Sequence, residues 1–160
     1  MAEQPHQTAV RDGSGPPLAD IGLCRIDHVG IAVTDLEQAI EFYETTLGMR
    51  CEHVEENAQE GVREAMMAVG PDPAASRIQL LAPLTPGSAI GRFLDQSGPG
   101  LQQVAYTVTD LDETCAALRA RGVRLLYQTP PRGTAGSRVN FVHPKDAGGV
   151  LVELVEPARH

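Results

Sequence analysis

Four polar side chains, His28, Gln79, Gln103 and Glu153, each interrupt an otherwise apolar run, and they fall at corresponding places in two copies of one pattern. Imidazole, amide and carboxylate groups can all donate a lone pair to a cation. The first copy runs RIDHVGIAVTDLEQAIEFYETTLGMRC from Arg25, the second GLQQVAYTVTDLDETCAALRARGVRLL from Gly100. Val33-Thr34-Asp35-Leu36 recurs 75 positions later as Val108-Thr109-Asp110-Leu111, which sets His28 against Gln103. Ile78-Gln79-Leu80-Leu81-Ala82-Pro83 matches Val152-Glu153-Leu154-Val155-Glu156-Pro157 at an offset of 74, a slip that one small indel accounts for. A duplicated module with one such group near its start and one near its end brings four ligands around a pseudo-twofold axis. Taken singly, each has a plainer explanation: a His in an apolar strand is usually a hydrogen-bonded core residue, and Gln or Glu suits an edge strand. Four interruptions at duplicated positions favour a metal site.

Positioning these groups requires each copy to fold alike. Ile26–Val33 is a largely apolar run bounded by polar residues and reads as a buried strand. Thr34-Asp35-Leu36-Glu37 has the form of a capping box, and Leu36, Ala39, Ile40, Tyr43 and Leu47 follow at helical spacing up to Gly48. Arg50–Glu55, Val62–Val69 and Arg77–Ala82 read as three further strands. Pro86 and Ser88 open a short linker helix through Ala89, Ile90, Phe93 and Leu94, ended by Gly98-Pro99-Gly100. The second copy gives strand Leu101–Val108, a helix from Asp110 to Gly122, and strands Arg124–Tyr127, Arg138–His143 and Val150–Val155. The expected fold class is α+β: two paired βαβββ modules, about 25–84 and 99–157, forming a half-open eight-stranded barrel with the helices outside. Together they make a single domain, 23–160, while residues 1–22, rich in Pro, Gly, Gln and Asp, read as a flexible tail.

Composition narrows the partners. With 160 residues, 42% of them hydrophobic, the chain can build one core, but only 4% are aromatic and Trp is absent. A net charge of −8 with 13 scattered Lys and Arg argues against nucleic acid. No window approaches the ~20 apolar residues of a membrane helix and MAEQPHQT is no signal peptide, so a cytoplasmic protein is expected. Cys24, Cys51 and Cys115 form no CxxC pair and read as buried thiols; His53, His6 and His160 read as surface residues.

The paired modules, with DHVGIAVTDL near the start and GGVLVELVEP at the end, resemble the vicinal oxygen chelate superfamily from Ile26 to Pro157. Within it, EGVREAMMAV, QLLAPL with its linker helix, RGVRLLY and RVNFVHPKDAGGVLVELVEP resemble the methylmalonyl-CoA epimerase family. The resemblance implies metal ligation by His28, Gln79, Gln103 and Glu153. It also implies an acyl-CoA substrate whose C2 proton is exchanged by Glu64 and Glu153 through a metal-stabilised enolate. Family members usually carry a His-His pair where this chain has Gln102-Gln103. An amide oxygen in place of imidazole favours harder ions, so cobalt, or else manganese, iron(II) or nickel, is expected over zinc. From the residues alone, Glu64 beside Arg63 reads as a solvated strand carboxylate. Arg138 and Lys145 are candidates for the CoA phosphates or the substrate carboxylate, with no P-loop or GxGxxG to add to them. A homodimer is the default assembly. The alternatives are a glyoxalase-like lyase, an extradiol dioxygenase, which would carry two His and one Glu, and a metal-free ligand-binding protein of the same fold.

Overall fold

The computed structural model describes residues 21–159. The expected N-terminal tail falls outside the described residues except for Ile21 and Gly22, as do His6 and His160. Strand β1 (Leu23–Ala32) is followed by helix α1 (Leu36–Thr45) and strands β2 (Arg50–Asn57), β3 (Val62–Ala68) and β4 (Arg77–Pro83). Helix α2 (Ala89–Ser97) leads into β5 (Gly100–Val108), α3 (Leu111–Ala120), β6 (Arg138–Val142) and β7 (Leu151–Glu156). The strands form one mixed sheet ordered β2-β3-β4-β1-β5-β7-β6. β1 and β5 run antiparallel at its centre, with β4 parallel to β1 and β7 parallel to β5. The duplication therefore appears as a pseudo-twofold axis between β1 and β5.

The sheet has seven strands among the described residues, not eight. The expected strand Arg124–Tyr127 is reduced to an isolated bridge between Leu125 and Val142. Leu126 N–H still donates to Phe141 O at 2.9 Å, but the next rung is made by a side chain. Asn140 Oδ1 accepts from Tyr127 N–H at 3.2 Å and Asn140 Nδ2 donates to Tyr127 O at 2.9 Å. Where the buried Asn140 amide occupies the backbone's partners, the ladder cannot continue.

The helix start also differs by one residue from the expected capping box. Asp35, not Thr34, is the N-cap, its carboxylate accepting from Gln38 N–H at 2.9 Å. Glu37 is turned away from the cap to pair with Arg63 on β3. Asp110 caps α3 in the same way, accepting from Glu113 N–H.

Strand alternation divides the core into layers. Ala65, Met67 and Leu80 face α1 and pack with Leu36, while Val108, Val142 and Leu154 pack with Leu111 and Cys115 of α3. Cys115 is thus the buried thiol; Cys24 is exposed and Cys51 half-buried. Glu64, Met66, Gln79 and Leu81 take the opposite face, where α2 closes one end through Ile90 against Leu81, Val62 and Ala32.

That face is concave. β3 and β6 are five strand steps apart, about 24 Å in a flat sheet. Yet Thr134, just before β6, bonds to both Glu64 on β3 and Gln79 on β4. Tyr127 Oη closes the rim by donating to Glu60 at 2.8 Å.

Truncating the fully buried Leu111 to Ala is expected to destabilise the protein by about 2–5 kcal/mol, read as a lower urea midpoint. Leu101→Ala, at a position 72% exposed, should change it by less than about 0.5 kcal/mol.

Candidate active site

The four expected ligands meet because small residues lie between them. On one face of three adjacent strands, Gly30 of β1 stands between Gln79 of β4 and Gln103 of β5. Two strand spacings separate the outer pair, about 9.5 Å. Since Gly30 offers no side chain, the two amides cross above it, and Gln103 Nε2 donates to Gln79 Oε1 at 3.1 Å. A Cβ on Gly30 would lie 2.5 Å from Gln103 Cγ. The other half repeats the device: Ala105 of β5 stands between His28 of β1 and Glu153 of β7, and His28 Nε2 reaches Glu153 Oε2 at 3.1 Å. Gly30 and Ala105 are themselves equivalent in the duplication, 75 positions apart.

Gln103 joins the two crossings by donating to Glu153 Oε2 at 2.6 Å. Glu64 completes the row: its Oε2 accepts from Gln79 Nε2 at 2.9 Å, and its Oε1 accepts from Thr134. All five groups are buried, from His28 at 2% exposed to Gln103 at 8%. Arg63 takes the outer face with Glu37, so alternation turns the neighbouring Glu64 inward rather than to water. His28 is oriented from behind by Asp27, whose carboxylate lies 2.7 Å from Nδ1 and accepts from Thr107 Oγ1 at 2.9 Å. Successive strand residues normally face opposite ways; here a bulge sets both Ile26–His28 steps of β1 against one step of β5, and Asp27 is the extra residue.

Burial disfavours charge on His28, but the hydrogen bonds and negative charges of Asp27 and Glu153 outweigh it and hold the imidazolium up to about 9. Burial pushes the Glu64 carboxyl up to about 7; the Thr134 bond opposes this and the facing Glu55 adds to it. Glu64, Gln79, Gln103 and Glu153 line a cavity of about 150 Å³ with apolar walls that include Leu81 and Phe141. Gln102 Oε1, buried without a hydrogen-bond partner among the described residues, lies at the same cavity.

Over residues 27–141 the chain matches the model of the Glyoxalase/Bleomycin resistance protein/Dioxygenase superfamily. The ethylmalonyl-CoA/methylmalonyl-CoA epimerase of Cereibacter sphaeroides is 37% identical over 132 residues, 81% of this chain and 96% of that protein. Methylmalonyl-CoA epimerase from Mycobacterium tuberculosis superposes with a TM-score of 0.84 at 57% identity, over 89% of this chain and 94% of that one. The chain belongs to the methylmalonyl-CoA epimerase family. Another relative, 46% identical with a TM-score of 0.81 over 85% of this chain and 96% of its own, is a methylmalonyl-CoA epimerase solved with methylmalonyl-CoA and ammonium bound. The family is one of enzymes, as the sequence resemblance implies.

Not every expected residue joins the site. Arg138 is paired with Asp112 at 2.8 Å and Lys145 lies in the turn Pro144–Asp146; neither lines the cavity. Arg132 does line it. Asp27, Thr107 and Thr134 are contributors that sequence reasoning missed. A bulge and a loop crossing carry no periodic signal, whereas the small residue two places after His28 and after Gln103 was visible in the repeat. Among the described residues no group of three or more His, Cys, Asp and Glu is placed to hold a metal ion, because two of the four positions are amides.

Gly30→Ala is expected to displace the Gln103 side chain and leave buried amides unpaired, costing about 1–3 kcal/mol of stability. Adding Gln103→Ala removes the clashing group, so the double variant should be less destabilised than the sum of the two, a coupling that denaturant titration reads directly. A second expectation concerns pH. Both raised values mean that the folded protein holds protons the unfolded chain has released, so stability falls as pH rises. For Glu64 the fall runs from 4.5 to about 7; the His28 contribution is complete below 6.5 and lost as pH rises through about 9. The urea midpoint of metal-free protein should therefore be lower at the upper end of this range. In His28→Gln the part of the fall that lies between about 7 and about 9 should disappear, while the Glu64 part remains.

Proposed function

We propose that this protein interconverts (2R)- and (2S)-methylmalonyl-CoA by removing the C2 proton on one face and returning one on the other. The observation that carries the reading is a pair of buried carboxylates, Glu64 and Glu153, on one cavity and held apart by the two crossed amides of Gln79 and Gln103. Epimerisation needs two proton carriers that do not collapse onto each other, and this arrangement supplies them. The family relatives, one of them with methylmalonyl-CoA bound, support the same substrate.

The donor set fits a divalent metal ion. His28 Nε2, Glu153 Oε2 and the Gln103 and Gln79 amides are linked by contacts of 2.6–3.1 Å. Donors at ~2.1 Å from an octahedral ion are separated by about 3 Å along each edge. The Gln103 amide would present its oxygen to the ion, an orientation related to the one seen by a flip of the amide. Asp27 on Nδ1 leaves Nε2 as the ligating nitrogen of His28. One nitrogen and three oxygens favour cobalt, manganese, iron(II) or nickel, with cobalt preferred. When bound, such an ion supplies Lewis-acid stabilisation of the charge that develops on the thioester oxygen.

The residues of the chain do the proton chemistry. Glu64, with an affinity for protons poised near neutrality, takes the C2 proton of one epimer. Thr134 and Gln79 hold its two oxygens in place. Glu153 returns a proton on the other face, and the roles reverse for the opposite direction. Gln102 Oε1 and Arg132 are the groups we assign to the thioester arm, the first accepting an amide N–H and the second meeting an anion. Arg138 and Lys145 remain candidates for the more distant CoA phosphates. One methylene in an apolar pocket discriminates by only about 1–3 kcal/mol, so ethylmalonyl-CoA is the second substrate to assay. No helix among the described residues is long and apolar enough to cross a membrane; a cytoplasmic location is part of the proposal. A homodimer would cover the exposed apolar Leu23, Ile26 and Leu101 on the two central strands.

Deuterium incorporation at C2 of methylmalonyl-CoA in D₂O tests the reading, with metal-free and cobalt-loaded protein compared against the uncatalysed background. Fast exchange is expected from loaded protein, and Glu64→Gln should lower turnover by ~10²–10⁴-fold. Absence of exchange with cobalt bound would sink the proposal.

A further inference from the structure

A two-carboxylate epimerase has a requirement that its active-site geometry alone does not meet. After one turnover Glu64 holds the proton taken from C2 and Glu153 has given its own away, so the free enzyme is set for the reverse reaction. Net conversion of one epimer then depends on loss of a proton from Glu64 to solvent and gain of one by Glu153. Yet Glu64 is 5% exposed, with one oxygen bonded to Gln79 and the other to Thr134.

The β2–β3 ladder offers a way out. Glu55 lies directly opposite Glu64, so both side chains stand on the concave face as immediate cross-strand neighbours. His53, two residues earlier on β2, shares that face, and its Nε2 lies 2.6 Å from Glu55 Oε2. Exposure rises along the series, to 29% for the Glu55 side chain and 42% for that of His53. The other Glu55 oxygen accepts from Ala135 N–H at 3.3 Å, which fixes the carboxylate between its two neighbours. Two carboxylates face to face repel unless a proton is shared, so the arrangement is unfavourable as mere surface decoration.

Resting on the epimerase reading above, we propose that Glu55 and His53 form a proton relay that resets Glu64 between turnovers. The protonated Glu64 passes its proton to the Glu55 carboxylate. Glu55 then protonates His53 at Nε2, and the imidazolium releases the Nδ1 proton to water. Exchange with solvent then returns the imidazole from the Nε2–H to the Nδ1–H tautomer, Glu153 regains a proton from water, and the reverse direction runs the same steps backwards. Imidazole suits the exit position because it accepts at one nitrogen and releases from the other.

The test is His53→Ala in the cobalt-loaded enzyme, measured in dilute buffer. Net conversion of a single epimer is followed with the product removed by a coupling reaction. A step that follows product release limits kcat but does not enter kcat/KM. The expected result is a kcat lowered by on the order of tenfold, less than the ~10²–10⁴-fold of a directly reacting base because water partly replaces the imidazole. kcat/KM should be unchanged, and added imidazole buffer should restore kcat. Glu55→Gln should show the same split without rescue, since an amide cannot pass the proton. An unchanged kcat, a parallel fall in kcat/KM, or a loss that imidazole does not repair would each overturn the relay. Wild-type protein unable to convert either epimer would overturn the epimerase reading instead, which keeps the two failures distinct.

Discussion

Everything at the centre of this protein depends on an absence of side-chain volume at two places. Ligands on alternate strands of a sheet stand about 9.5 Å apart, too far for Gln or His and Glu to meet over an ordinary residue. Gly30 and Ala105 remove that obstacle in the two halves, and the four groups close into one buried row. The Cβ that Gly30 lacks would sit 2.5 Å from Gln103 Cγ, so the gap is filled by the crossing Gln103 side chain itself. Backbone register, not loop placement, therefore sets the site. This makes it as rigid as the central β1–β5 ladder that carries it.

A row of five buried polar side chains is costly unless its members satisfy one another. Here they do: Glu64 to Gln79, Gln79 to Gln103, Gln103 to Glu153 and Glu153 to His28, with Thr134 and Asp27 closing the two ends. The apolar core is displaced to the other face, under α1 and α3, so the sheet separates chemistry from cohesion. The bulge that turns Asp27 toward His28 is the local distortion this arrangement requires.

The duplication made much of this legible. His28, Gln79, Gln103 and Glu153 were recognisable as interruptions at repeated positions, and the helices and most strands followed from periodicity and caps. What escaped notice was whatever depended on a single contact rather than a pattern. The strand expected at Arg124–Tyr127 fails because one buried side chain, Asn140, takes over the hydrogen bonds of the next rung. Thr134 enters the site only because the sheet curls, and curl is written in no local residue spacing. Arg138, a candidate for an anion in the sequence, is paired in the structure with Asp112 of α3, a contact that no spacing announces.

The two halves are alike in backbone and unlike in chemistry, and the difference bears on how the protons are divided. In the first half Glu64 pairs with Leu81 and Met66 with Gln79; in the second Val139 pairs with Val155 and Phe141 with Glu153. Since Leu81 and Gln79 correspond to Val155 and Glu153 in the duplication, the counterpart of Glu64 is Val139. Both face the cavity, but only one can carry a proton. The ligand positions are unequal in the opposite sense: Gln79 is an amide, with no proton to exchange, where Glu153 is a carboxylate. Each half thus contributes one buried carboxylate from a different strand position, Glu64 from β3 and Glu153 from β7. Loss of symmetry at Glu64/Val139 and Gln79/Glu153 leaves one free carboxylate and one among the candidate ligands, the pair that the proposed proton transfer on two faces of a planar carbon uses.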